Sequence, residues 1–282
     1  MPDKAYVEIT NVCNLRCTFC HGTVRPARFL SPEEFRTIAE KLDGKVKYLY
    51  LHLMGEPLLH PQLGEILQIV SGMKVRLILT TNGTLLKKRG DELIAAGVYK
   101  VNISLHSFEN EKEYKQYIDD CLDFADKASK SGVLVVLRLW NSGFDGGKNE
   151  DIVKRIRERF SDSEWMHGKR GVRIHHKLHL EYGERFEWPD MQAAESCGRA
   201  FCYGLADHFG VLVDGSVIPC CLDAEGVIKL GNIFEDDIAA ILTSERANAI
   251  RQGFKDGIAC EELCRKCGYA RRFVRNLTRS TN

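Results

Sequence analysis

Cys13-Asn14-Leu15-Arg16-Cys17-Thr18-Phe19-Cys20 places three cysteines in eight residues with Cys-x3-Cys-x2-Cys spacing. Disulfides use thiols in pairs, and closed zinc or iron–sulfur sites use them in fours. A trio points to a metal cluster with one position left open, or to a zinc knuckle completed by His21 or by a distant cysteine. The trio follows the short β-rich run YVEI (6–9), so the reading of that run and its successors decides what holds the cysteines.

The successors are YLYLHL (48–53), VRLILT (75–80), KVNISL (100–105), VLVVLRL (133–139) and VRIHHKLHL (172–180). Amphipathic stretches near 31–42, 62–72, 86–96, 111–130 and 148–160 separate them. Ser31-Pro32-Glu33-Glu34 opens the first with an N-cap, a Pro at N1 and a capping-box Glu at N3. VLVVLRL is almost continuously apolar, as in a strand covered on both faces. Six strands joined by five helices predict parallel βα units with right-handed crossovers. The fold class is therefore α/β, a partial (βα)6 TIM-type barrel, with functional loops at the C-terminal strand ends.

The pattern changes near Phe186-Glu187-Trp188-Pro189, where a boundary divides residues 1–188 from 189–282. The second part holds HFGVLVDGSVIPCC (208–221), a hairpin turning at Asp214-Gly215. A helical stretch at about 235–253 and a basic, cysteine-rich tail from Cys260 follow.

The chain has 282 residues, 44% hydrophobic and 28% charged, with net charge +1. That balance excludes a general electrostatic pull towards nucleic acid or anionic membrane. The basic tail (Arg265, Lys266, Arg271, Arg272, Arg275) reads as a solvated face more readily than as a nucleic-acid contact. No apolar run approaches the ~20 residues that span a bilayer, and the N-terminus lacks a secretory signal pattern. The expected location is cytoplasmic, where eleven cysteines are ligands rather than staples.

The trio, with the aromatic Phe19 before its last cysteine, resembles the signature of the radical S-adenosylmethionine (SAM) enzymes. Three further fragments match that family in order: MGEPLLHP (54–61), TTNGTLL (80–86) and SLHS (104–107). Met54 stands where the family carries a glycine. The resemblance implies a [4Fe–4S] cluster on Cys13, Cys17 and Cys20 whose open iron chelates SAM. It implies reductive cleavage of SAM to methionine and a 5′-deoxyadenosyl radical that abstracts a substrate hydrogen. By the same resemblance Gly55 lets backbone approach the cofactor, Glu56 accepts from the SAM ammonium, and Ser104 and Asn82 reach the ribose. Lys115 stands near where relatives carry a carboxylate-binding Arg. A reductant such as flavodoxin or ferredoxin is the implied partner.

Cys202, Cys220, Cys264 and Cys267 resemble the ligands of a twitch domain, the shortened SPASM form, a small α+β unit with one auxiliary [4Fe–4S] cluster. A four-thiolate zinc site would use the same residues, and Cys197 is an alternative to Cys202. Cys260 forms another Cys-x3-Cys-x2-Cys with Cys264 and Cys267, without SAM-type loops around it. Cys121 reads as a core thiol, and no role is assigned to Cys221.

Arg138 and Asn141 end the fifth strand. Alternation along a single sixth strand puts His175 and His179 on one face and His176 on the other. Arg138 and His175 are thus candidate catalytic residues at the barrel mouth, with polar filling or ion pairing as the alternatives. The expected chemistry is net oxidation of a small molecule with the auxiliary cluster as electron acceptor, as in twitch-type dehydrogenases of aminocyclitol biosynthesis. A radical lyase or rearrangement on a small metabolite or modified nucleobase is the alternative. Peptide modification is disfavoured by the expected lack of a leader-binding segment, and a non-catalytic SAM-binding iron–sulfur protein by the SAM-positioning loops.

Overall fold

The computed structural model describes residues 1–108, 113–161, 163, 165–195, 200–270 and 272–273. Five βα units lead the chain: β1 (Lys4–Val7), α1 (Pro32–Leu42), β2 (Tyr48–Tyr50), α2 (Leu63–Ser71), β3 (Arg76–Thr81), α3 (Leu86–Ala95), β4 (Lys100–Ser104), α4 (Tyr114–Lys130), β5 (Leu134–Ser142) and α5 (Lys148–Arg159). Ser31 and Glu34 make the predicted capping box at the start of α1, satisfying two backbone donors that the first turn leaves open. The next strands are β6 (Met166–Gly168), β7 (Gly171–His175) and β8 (Leu178–Glu184). The rest of the chain adds β9 (His208–Val211), β10 (Ser216–Ile218), β11 (Gly231–Asn232), α6 (Ile238–Leu242), α7 (Glu245–Lys255) and α8 (Glu262–Arg265).

One sheet runs in the order β11-β10-β9-β1-β2-β3-β4-β5-β8-β7-β6. Strands β1 to β5 and β8 pair in parallel, which is the six-stranded partial barrel. The sixth barrel strand differs from the expected 172–180 run. A turn at His176-Lys177 folds that stretch into the antiparallel β7–β8 hairpin, and only β8 joins the parallel set. The alternation that grouped His175 with His179 fails because the turn lies between them.

At the other edge β9 pairs in parallel with β1 and antiparallel with β10, so the C-terminal hairpin continues the barrel sheet. The turn uses Asp214, whose carboxylate accepts from the Ser216 amide at 3.0 Å, and Gly215 at φ +83°, where a side chain would be strained. The single helical stretch expected after it is two helices, because Ser244 caps a fresh helix start at α7.

Side chains on the helix-facing side of the parallel strands, such as Val7, Leu49, Leu79, Ile103 and Leu137, are buried and apolar. Strand alternation turns their neighbours inward. Those neighbours include Tyr6, Glu8, Tyr50, His52, Asn102, Arg138 and Glu181, so the barrel interior is polar. An apolar outer layer drives the fold, which leaves the inner layer free to carry chemistry. No helix among the described residues is long and apolar enough to cross a membrane.

Candidate active site and cluster-binding cysteines

Each sequence fragment lies at a C-terminal strand end, and hydrogen bonds gather the fragments on the cysteine loop that follows β1. The Cys13 sulfur accepts from the Leu15 amide at 3.5 Å and from Asn82 Nδ2 at 3.8 Å. Asn82 Nδ2 also donates to Asn14 Oδ1 at 2.9 Å, and Asn14 Nδ2 donates to Thr84 Oγ1 at 2.8 Å. Cys17 Sγ donates to the Ser107 carbonyl at 3.5 Å. The Phe19 ring packs on His106 with 4.9 Å between centroids, and Trp188 Nε1 donates to the Phe19 carbonyl at 3.0 Å. Cys13 and Cys20 are exposed and Cys17 half-buried. Three reachable thiols on one short loop suit a cluster that keeps an open position.

The other motif residues are held by the loops around them. Gly55 sits at φ +74°, and a Cβ there would lie 2.4 Å from the Thr10 carbonyl oxygen. Its bare backbone serves close packing against the cysteine loop. Glu56 is 1% exposed. Its carboxylate accepts from the Leu58 amide at 3.0 Å, the Thr81 hydroxyl at 2.7 Å and the Asn82 amide at 2.7 Å. Burial pushes this carboxyl above its ordinary range, against those three donors. Glu56 therefore ties the loops after β2 and β3 together. Asn82 likewise props Cys13 and Asn14, its oxygen taken by the Thr84 amide and hydroxyl. Ser104 ends β4, half-buried on the interior face. Lys115 is exposed on the first turn of α4, and no described contact brings it to the mouth.

Arg138 lies inside the barrel, 3.4 Å from Glu181 Oε2 and with its guanidinium 4.4 Å from the centroid of the Trp140 ring. His175 is at the other end. It closes β7 beside the start of β8, with Nε2 3.4 Å from Ser129 Oγ and its ring against Phe160. It does not reach the mouth, and the catalytic candidacy is corrected. His52 was missed by sequence reading. Its Nδ1 accepts from the Thr80 amide at 3.1 Å, and burial, helped by Arg138, lowers its pKa to about 3, so it stays neutral near pH 7.

The residue that ties the two halves was also missed. Glu8 is fully buried and meets Arg25 through two hydrogen bonds, at 2.8 and 2.7 Å. It also accepts from the amides of Met54 at 3.2 Å and Val213 at 3.0 Å, while Arg25 Nε donates to the Ala224 carbonyl at 2.8 Å. The cysteine loop, the loop after β2 and the C-terminal hairpin thus share one carboxylate. Alternation from Tyr6 already placed Glu8 on the inner face, and a carboxylate there was the signal. Breaking a buried pair leaves an uncompensated charge and costs about 3–5 kcal/mol. Arg25→Ala is expected to lose that much stability in urea denaturation; a loss within about 1 kcal/mol, the range of an exposed pair, would show the bridge to be solvated.

The second cysteine set converges. Cys202, Cys220, Cys264 and Cys267 all line one cavity, walled by apolar residues that include Pro219, Leu222, Ile228, Phe254 and Leu263. Burial pushes the Cys202 thiol up to about 12 and raises Cys264 as well, with neighbouring thiols adding to both. Cys202 and Cys264 thus resist ionising in this apolar cage, and a bound cation is what would stabilise them as thiolates. The donor set therefore fits a fully ligated four-thiolate centre. Cys260 is exposed, donates to the Ala249 carbonyl at 3.4 Å and does not line the cavity. Cys121 is a buried thiol beside Gly83, as expected of a core residue. Cys197 and Arg275 lie outside the described residues.

The family model described as the Radical SAM superfamily matches residues 7–159, and the SPASM model, an iron-sulfur cluster-binding domain, matches residues 202–268. The GTP 3',8-cyclase of Aquifex aeolicus is 30% identical over 199 residues, 64% of this chain and 58% of that protein. The probable GTP 3',8-cyclase of Methanocella arvoryzae is 34% identical over 161 residues, 53% of this chain and 50% of that protein. The chain spans about half the length of the curated relatives it matches. Among solved structures, BtrN in complex with AdoMet and 2-DOIA superposes with a TM-score of 0.63 at 19% identity, covering 95% of this chain and 93% of that one. Native anSMEcpe with bound AdoMet and Cp18Cys peptide gives 0.60 at 15% identity, covering 95% and 89%. At these identities the likeness is one of fold.

Proposed function

This chain belongs to the radical SAM superfamily, and from that premise we propose that it oxidises a small polar molecule held in the barrel mouth. Cys13, Cys17 and Cys20 hold the SAM-binding [4Fe–4S] cluster, and Cys202, Cys220, Cys264 and Cys267 the auxiliary one. When bound, these groups supply the electron that cleaves SAM, and thereby a hydrogen-abstracting oxidant, together with an acceptor for an electron leaving the substrate. The observation that carries this reading is the convergence of all four second-set thiols on one cavity. A centre filled by protein ligands offers no open iron to substrate, which leaves electron transfer or structural support.

The chain's own residues bind and orient. Asn82, Asn14 and Ser107 hold the cysteine loop in shape, and Glu56 fixes the two loops beneath it. Arg138 is a guanidinium that stays protonated, so it binds polar substrate groups rather than taking protons. Glu181 beside it is the interior carboxylate placed to accept the proton that leaves with net oxidation. The electron source is a reductant of the flavodoxin or ferredoxin kind. A second reading, rearrangement of a purine nucleotide, is favoured by the identity of part of the chain to GTP 3',8-cyclases.

The two readings separate by product mass. The reduced, reconstituted enzyme is given SAM with either aminocyclitols or GTP. The oxidation reading expects a product two hydrogens lighter than its substrate, formed one to one with 5′-deoxyadenosine. A product isomeric with its substrate would overturn it in favour of rearrangement.

A further inference from the structure

His208 opens β9, and the β9–β10 register pairs Ile218 with Gly210. Continued by two residues, that register sets Cys220 opposite His208. The side chains bear this out: a ring nitrogen of His208 and the sulfurs of Cys220 and Cys221 lie within 4.8 Å of one another. Nδ1 faces Asp207 Oδ2 at 3.6 Å, and Asp207 is held by Lys4 at 2.7 Å. Nε2 is buried and makes no hydrogen bond. At 3.6 Å the Asp207 contact is longer than a hydrogen bond, so the proton of the neutral ring is free to sit on Nε2, where the sulfur becomes its acceptor once it is a charged ligand. On its other side the ring meets Tyr6 edge-on at 5.7 Å, and Tyr6 stacks on Tyr50 at 4.2 Å. Packed rings thus run from the barrel interior to one ligand of the second centre.

We propose that His208 donates a hydrogen bond to the Cys220 sulfur, raises the reduction potential of the auxiliary cluster, and links that cluster to the barrel interior through Tyr6. The inference rests on the oxidation reading for its purpose. On that reading the substrate radical gives up one electron to the auxiliary cluster and one proton to a barrel carboxylate. A donor to a ligating sulfur favours the more negative, reduced state of the cluster, which is what an acceptor requires. His208 is a positioning residue, since it acts through Cys220.

The test is a potentiometric titration followed by electron paramagnetic resonance. It uses the whole 282-residue chain with Cys13, Cys17 and Cys20 replaced by Ala, so that only the second cluster reports. No turnover is involved, so the result stands or falls independently of the product-mass experiment. His208→Phe keeps ring packing and removes the donor; it is expected to retain iron and shift the midpoint to lower potential. His208→Gln keeps a donor and is expected to recover part of that shift. An unchanged midpoint in His208→Phe would overturn the proposal. Loss of iron in that variant would also overturn it, by making His208 a ligand rather than a donor.

Discussion

Replacing Cys13, Cys17 and Cys20 by Ala is expected to abolish SAM cleavage while leaving about four irons in the anaerobically reconstituted chain. The three thiols sit on one exposed loop that is held from outside by Asn82, Ser107 and the bare backbone of Gly55. Their removal takes away the ligands without opening the core, because none of the three is buried. The effect should therefore fall on chemistry far more than on folding. 5′-Deoxyadenosine measured after chemical reduction checks the first half, and iron analysis checks the second. Cleavage surviving in the triple variant would mean that the second centre, and not this loop, is the one that SAM meets.

Cys264→Ala should have the larger structural effect. Cys264 lines the apolar cavity with its three partners, and the folding free energy of a metal-ligated tail is largely the binding free energy of its centre. Short helix α8, of four residues, cannot hold the tail by itself. The variant is expected to keep the first cluster and still cleave SAM, to lose the second centre's iron, and to expose the chain beyond residue 255 to limited proteolysis. Oxidised product should disappear while 5′-deoxyadenosine continues to form. Normal product formation from a variant lacking the second centre would remove the electron-acceptor role.

The fold and much of the candidate site could be read from residue order alone, and the exceptions have physical causes. The β-rich runs marked the first five parallel strands, because apolar burial against helices imposes a strong pattern on the outer face. The antiparallel β7–β8 hairpin escaped because its turn, His176-Lys177, carries none of the Gly, Asn, Asp or Pro residues that usually mark one. That single omission moved His175 from the mouth to the opposite strand end. The four motif fragments placed the loops at the strand ends, and the hydrogen bonds their side chains make there were not legible in the fragments themselves. Glu56 and Asn82 spend their polar atoms on neighbouring loops, a choice set by contacts between β2, β3 and the cysteine loop that no local pattern encodes. Glu8 and Arg25 form a bridge to residues about two hundred positions away, at Val213 and Ala224. By contrast His208 opposite Cys220 follows from the hairpin register once the Asp214-Gly215 turn is placed.

Two iron–sulfur clusters on this one chain, one open to SAM and one closed by four thiolates, would show directly in its metal content. Iron, sulfide and zinc analysis of the anaerobically reconstituted 282-residue chain, with Mössbauer spectroscopy of the iron, reads that content. About eight irons per chain as two [4Fe–4S] clusters and no stoichiometric zinc are expected. About four irons with one zinc per chain would contradict that expectation, and would make the cavity of Cys202, Cys220, Cys264 and Cys267 a structural knot.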